Sequence, residues 1–278
     1  MFFLLLLILF HSSLSVSTVS LRFDQWKEKF GKTYDSLSLE AAAFEAFKEV
    51  DLKIESHTST SYLLAHNEFS DLTVQQWQQR FSPMEPPLHV FNQTEVFTSD
   101  RKFASHFDWR EKGAVTPVQN QKQCGACYAF ASVAALEGAL QISTKALVKL
   151  SEEDLIECAT PPNVLCAGGD LYKTFEWTAK NGVTNSTFYP FTSGNGGASA
   201  CEQRRWGNQI AINRKGVIDI HDRPGVGATE NAMLTALSKQ VLAVGVNANK
   251  LQSYKSGIFD DITCSNSTNH AVAIVGWG

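Results

Sequence analysis

No cysteine precedes Cys124, and six follow in the rest of the chain: Cys124, Cys127, Cys158, Cys166, Cys201 and Cys264. The charge divides the chain in the same way. Residues 18–103 carry 9 Lys+Arg against 13 Asp+Glu, whereas residues 104–278 carry 15 against 15. The net charge of −4 therefore comes wholly from the first third, and 278 residues are enough for about two domains. The chain reads as two pieces with different jobs. A hydrophobic content of 44% excludes a disordered protein, and the acidic balance excludes a basic footprint for nucleic acid.

The cysteines gain meaning from the N-terminus. Phe2 to Phe10 is an unbroken apolar run, FFLLLLILF, followed by a polar, Ser-rich stretch from His11 to Ser20. A membrane-spanning helix needs about 20 apolar residues, so this run matches the core of a secretory signal peptide spanning residues 1–17. Export places the cysteines in an oxidising compartment, where most should be bridged, and leaves a mature chain without a membrane anchor. Asn-x-Thr triplets at Asn92, Asn185 and Asn266 are candidate glycosylation sites on that route.

Apolar periodicity predicts an amphipathic helix over Phe23–Lys32, bearing Phe23, Trp26 and Phe30, and a longer one over Leu39–His57 with a stripe of Phe44, Phe47, Val50 and Ile54. Pro83, Pro86 and Pro87 mark a linker over residues 81–103. Further helices are predicted over Cys127–Ser143, with Phe130, Val133 and Ala134 inward, and over Ser151–Ala159, Asp170–Asn181 and Thr229–Lys239. Ser151-x-x-Asp154 supplies a helix cap. Strand patterns come late, at Val241–Val246 and Ala271–Trp277, so the fold class is α+β with two subdomains.

Cys124-Gly-Ala-Cys127-Tyr128 is the chemically informative pentapeptide. As a bare Cys-x-x-Cys it could be a redox dithiol or half of a zinc site, but it has no second ligand pair and no preceding strand. No metal or cofactor is expected. A thiol at the start of the helix headed by Cys127 faces unpaired N–H groups and the positive dipole end, which favour a thiolate nucleophile. Its proton partner is sought among the histidines of the second piece, His106, His221 and His270. His270 immediately precedes an apolar strand able to hold it.

Asp108-Trp109-Arg110, the run from Gly113 to Gln121, and Cys124 to Phe130 resemble the start of a mature papain-family cysteine protease of the cathepsin L type. Leu150 to Leu155, Cys166-Ala-Gly168-Gly169, Tyr254 to Phe259 and Asn269-His270-Ala271-Val272 extend the resemblance over nearly all of residues 18–278. It implies a two-subdomain peptidase over 104–278, with a helical left domain and a β-barrel-like right domain. It also implies a helical inhibitory propeptide over 18–80. Cys127 would attack the peptide carbonyl and His270 would relay the proton. Gln121 would join the Cys127 backbone N–H at the oxyanion, where one such donor is worth about 3 kcal/mol. Gly168, Gly169, Asn269 and Leu171 would contact substrate. Asp170, Leu171 and Gly245 fall near the specificity pocket and suggest tolerance of apolar side chains. Implied disulfides are Cys124 with Cys166 and Cys158 with Cys201.

In the first piece, Asn67-Glu-Phe69-Ser-Asp71 is similar to the Asn-x-Phe-x-Asp core of the propeptide, with Ala65 where Gly is usual. The long helix keeps the family's positions at Phe47 and Ile54 and departs at Ala43, Val50 and Thr58. The acidic excess suggests release at low pH with cleavage near Ala104. Lys122 replaces a usual Gly, and Tyr128 a commoner Trp. The family's imidazole-orienting Asn has no counterpart in residues 271–278, AVAIVGWG, and the family partner of Cys264 lies further on, so a C-terminal truncation with missing strands is expected. Two functions follow: a monomeric, secreted or lysosomal/vacuolar endopeptidase zymogen acting on proteins and peptides, or an impaired protease-like inhibitor acting through its pro-segment.

Overall fold

The computed structural model describes residues 18–81, 102–161, 163–202, 209–210 and 230–278. The signal segment, Asn92, His221 and most of the 81–103 linker lie outside the described residues. The described residues divide into two compact units, those within 18–79 and 248–265, and those within 80–247 and 266–278.

In the first unit, helix α1 covers 18–30. It stops two residues before the expected Lys32 because Gly31 turns left-handed, with φ +62°. Helix α2 is Leu37–Glu55, opened by Ser36, whose hydroxyl accepts the Leu39 N–H. Phe47 and Val50 are buried as the stripe requires, while Phe44 is only partly covered. Phe23, Trp26, Ala43 and Phe47 form the core, and the Phe47 ring lies 4.1 Å from that of His66. Asp51 is the buried exception on this face, and it is held by Arg22 and by His66 at 3.0 Å.

Strand β1, Tyr62–Leu64, and helix α3, Val74–Gln79, follow. Helix α3 was not expected, although its signature is in the sequence. Thr73 Oγ1 accepts the Gln76 N–H at 3.2 Å and Gln76 Oε1 accepts the Thr73 N–H at 2.8 Å, a reciprocal capping box. The Asn67–Asp71 stretch ties this unit together. Asn67 Nδ2 donates to the Gln252 carbonyl at 2.6 Å, and Gln252 Nε2 donates back to the carbonyls of Phe69 and Leu72. Asp71 accepts from Lys32 Nζ and the Tyr34 hydroxyl, both at 3.0 Å. Strand β6, Tyr254–Gly257, pairs antiparallel with β1, and Trp77 Nε1 donates to the Ala248 carbonyl at 3.0 Å.

The second unit is organised by strand β2, Phe107–Asp108, and by helix α4, Cys127–Thr144. Nearly every side of α4 is buried, so its inward face differs from expectation. Val133 is buried, but Cys127, Phe130 and Ala134 form the less covered line. Positions separated by three and four lie along one edge of a helix, and this edge begins at the thiol. Helix α5, Glu152–Cys158, is capped by Ser151, whose Oγ accepts the Asp154 N–H at 2.9 Å. Its buried acids are each satisfied: Glu152 accepts from Lys149 Nζ, Glu153 from Thr192 and Ser193, Asp154 from the Thr184 N–H, and Glu157 from the Tyr189 hydroxyl. Buried carboxylates persist only with such partners, so α5 acts as an anchor for the 184–202 loops.

Helix α6 is Leu171–Asn181, and the short strands β3, Val183–Thr184, and β4, Gln209–Ile210, pair with one another. Helix α7 is Glu230–Leu237 and strand β5 is Leu242–Val246. The single late strand expected over Ala271–Trp277 is two strands: β7, His270–Ile274, pairs with β5, and β8, Gly276–Trp277, pairs with β2. Val275 separates them, its carbonyl accepting the Trp109 N–H at 2.8 Å. Helices and strands are thus both present, with β7 packed on α4.

Candidate active site

Cys127 is the first residue of α4, half-buried, with Ala126 before it supplying no side-chain cap. The backbone N–H groups of Ala271, Tyr128 and Cys127 itself bear on the sulfur and favour its anion. Burial is the larger influence and pushes the thiol above its ordinary value. The Ala271 contact is decisive for placement. It brings the sulfur to β7 at the residue after His270, so residues far apart in sequence share one locus.

His270 opens β7 opposite Val246, and Asn269 N–H donates to the Val246 carbonyl at 3.0 Å. Its Nδ1 is buried and finds no hydrogen-bond partner among the described residues. The Phe81 ring lies 4.9 Å from the imidazole at 58°. Burial first, and the Arg80 charge second, lower the His270 pKa to about 4. The Arg80 guanidinium also donates to the Lys122 carbonyl. Both shifts run toward a neutral imidazole and a neutral thiol, against the charge separation of the expected thiolate–imidazolium pair. Desolvation of both groups outweighs the helix terminus.

Gln121 Nε2 donates to the Cys124 carbonyl at 2.9 Å, which uses one of its two amide hydrogens and fixes the loop that leads into α4. Lys122 adopts φ +52°, the left-handed conformation that explains a glycine preference at this position. Its aliphatic stem runs beside Gly194, where a Cβ would come within 2.7 Å of Lys122 Cδ.

Cys124 is bonded to Cys166, and Cys158 to Cys201; Cys127 and Cys264 take no part in these bridges. The first bridge removes Cys124 from any dithiol with Cys127. Together with the Tyr128 hydroxyl, which donates to the Leu165 carbonyl at 2.9 Å, it pins the 165–169 loop to the start of α4. Gly168 has φ +118° and needs a glycine for its backbone. At Gly169 a Cβ would lie 2.5 Å from Asn163 Oδ1 and 2.7 Å from the Tyr128 ring, so internal packing already demands the residue. Leu171 is half-buried and packs on the core cluster of Cys124 and Tyr128, while Gly245 pairs with Ala271. Asn185 is half-buried and Asn266 exposed.

Arg80 and Phe81 were not singled out in the sequence. They sit at the edge of a proline-rich linker, and nothing local in such a dipeptide reveals a distant imidazole.

Residues 103–278 match the papain family of cysteine proteases, and residues 23–77 match the cathepsin propeptide inhibitor domain. Fruit bromelain of Ananas comosus is 31% identical over 92% of this chain and 72% of its own length. Caricain of Carica papaya is 33% identical with the same two coverages. Among solved structures, a recombinant stem bromelain precursor superposes with a TM-score of 0.75 at 32% identity, covering 93% of this chain and 82% of that one. Procathepsin L 3 from the midgut of Tenebrio molitor larvae gives a TM-score of 0.78 at 27% identity, covering 94% and 84%.

Proposed function

The chain belongs to the papain family of cysteine proteases, as an endopeptidase zymogen with a propeptide inhibitor, and from that premise we propose the roles of its residues. The observation that carries the proposal is the packing of β7, which His270 opens, against α4, which Cys127 opens, with the Ala271 N–H bearing on the sulfur. Cys127 attacks the peptide carbonyl as its proton passes to His270, forming a C–S bond. The resulting oxyanion takes hydrogen bonds from the Cys127 N–H and the second amide hydrogen of Gln121. Collapse breaks the C–N bond, and His270 returns the proton to the leaving amine. Water then gives a proton to His270 and attacks the thioester, which releases the carboxylic product and restores the thiol.

Gly168, Gly169 and Asn269 present backbone to an extended substrate, and Leu171 offers apolar surface beside them. Residues 1–17 direct export, 18–80 form the inhibitor, 81–103 carry the cleavage near Ala104, and 104–278 form the peptidase. The destination is secretion or a lysosome-like or vacuolar compartment, as a monomer. The apolar leader and the two disulfides support that route. Among the described residues no helix is long and apolar enough to cross a membrane. The relatives named above are proteases or their precursors, which gives no support to an inhibitor without catalysis.

A thiol-directed peptidyl probe should label Cys127 after removal of residues 1–103. A folded, processed sample that takes no label at Cys127 overturns the assignment. The precursor carries a second expectation. His270 is held at about 4 against an ordinary 6.5, so the unfolded chain binds the extra proton first. Stability present above pH 6.5 is therefore withdrawn as pH falls from 6.5 toward 4, by about 3 kcal/mol in all. Protonated His270 would also face the Arg80 cation, so acid loosens the Arg80–Phe81 cover. Urea unfolding of the precursor across this range should show the decline, with maturation faster at the acidic end. A flat profile rejects it.

A further inference from the structure

Two of the three Asn-x-Thr triplets lie among the described residues, and their surroundings differ. Asn185 is half-buried in a folded turn: its side-chain oxygen accepts the Thr187 N–H at 2.7 Å, and its carbonyl accepts the N–H groups of Phe188 and Tyr189. Asn266 is exposed between exposed Ser265 and Ser267. The triplet Asn266-Ser267-Thr268 is nevertheless anchored, because Asn247 Nδ2 donates to the Ser267 carbonyl at 2.6 Å and Asn269 N–H donates to Val246. Those bonds seat the segment on the end of β5 just before His270 enters the ladder opposite Val246.

We propose that Asn266 carries an N-linked glycan that fences the entrance to His270 against folded protein substrates while leaving short or unfolded peptides free to enter. The fencing rests on the catalytic reading of Cys127 and His270. The modification transfers an oligosaccharide from a lipid-linked pyrophosphate donor during export. A bond forms between Asn266 Nδ2 and the anomeric carbon, the bond from that carbon to the pyrophosphate oxygen breaks with its electron pair leaving on the lipid pyrophosphate, and the displaced amide proton is taken up by that leaving group or by solvent. The apolar leader, the disulfides and the Thr at the third position meet its requirements.

The consequence for substrates follows from reach. Four residue steps separate Asn266 from His270, so their backbones lie within about 14 Å of one another. The pinning of Ser267 and Asn269 denies the segment the freedom to swing the sugar away. A glycan is a bulky, solvated surface group, and one rooted this close crowds a globular partner far more than a single extended strand.

The test begins with the full chain exported from a glycosylating eukaryotic host. Peptide N-glycosidase should remove mass from the peptide containing Asn266, and Asn266→Gln and Thr268→Ala should each abolish that mass without reducing secretion. An exported chain unmodified at Asn266 overturns the site. For the fence, the processed protein is compared with both variants on a folded globular protein and a short fluorogenic peptide. Loss of the glycan should raise kcat/KM on the folded protein several-fold relative to the peptide. The same comparison is made without turnover, as the rate of Cys127 alkylation by iodoacetamide against a maleimide on a long polyethylene glycol, mapped by mass. Unchanged ratios overturn the fence. Absence of hydrolysis with a clear change in alkylation would instead remove the catalytic reading and keep the glycan's position.

Discussion

Cys127→Ala is expected to lower peptide hydrolysis by the processed enzyme by about 10⁴-fold or more, with the fold intact. The thiol is the atom that forms the intermediate, so nothing else at the site can take over the step, and removing one member of such a unit costs nearly as much as removing all of it. The fold should tolerate the change because Cys127 lies on the less covered line of α4, outside both disulfides. Alanine also suits the helix. Hydrolysis of a fluorogenic peptide, read beside circular dichroism, checks the prediction. A variant that keeps a tenth or more of the parent rate, on the order of 1.4 kcal/mol lost, assigns the nucleophile elsewhere.

Phe47→Ala should have the largest effect on the precursor, destabilising the first unit by about 3–5 kcal/mol. Phe47 is fully buried and meets the rings of Phe23, Trp26 and His66 at 5.3, 5.4 and 4.1 Å. Alanine would leave a cavity among rigid rings on α1 and on the loop after β1 that cannot collapse into it. Most of the stability expected of a small unit would be lost. Amide exchange on the full precursor is the measurement. Protection should fall in α1 and α2 while the buried amides of α4 and α5 keep theirs, and self-inhibition should weaken with it. Equal protection in wild type and variant would show that the aromatic cluster does not hold this unit.

Much of this was legible because it is local. The Phe47 and Val50 stripe, the Ser151 cap and the Cys127 helix start all depend on neighbours within a turn or two. The Thr73–Gln76 capping box is equally local, but the six-residue helix it opens carries too little periodicity to stand out in the sequence. By contrast, β1 pairs with β6 across some 190 residues of chain, and β7 and β8 part company at Val275 to serve different partners. No window of sequence contains those pairings.

The charge state of the site divides along the same line. A cysteine beginning an Ala-rich helix and a histidine heading an apolar strand are fixed by the order of residues, and the motifs around them carry the resemblance to the family. The protonation of the two groups is not fixed in this way, because a pKa answers to everything within a few ångströms, whatever its distance along the chain. Phe81 over the imidazole, Arg80 beside it and the burial of the sulfur are products of packing. The order of residues thus determined the motifs that carry the family resemblance, whereas the tertiary structure alone brought burial, Phe81 and Arg80 to bear on the thiol and the imidazole and shifted both toward their neutral forms, since desolvation exists only once the chain has folded around them.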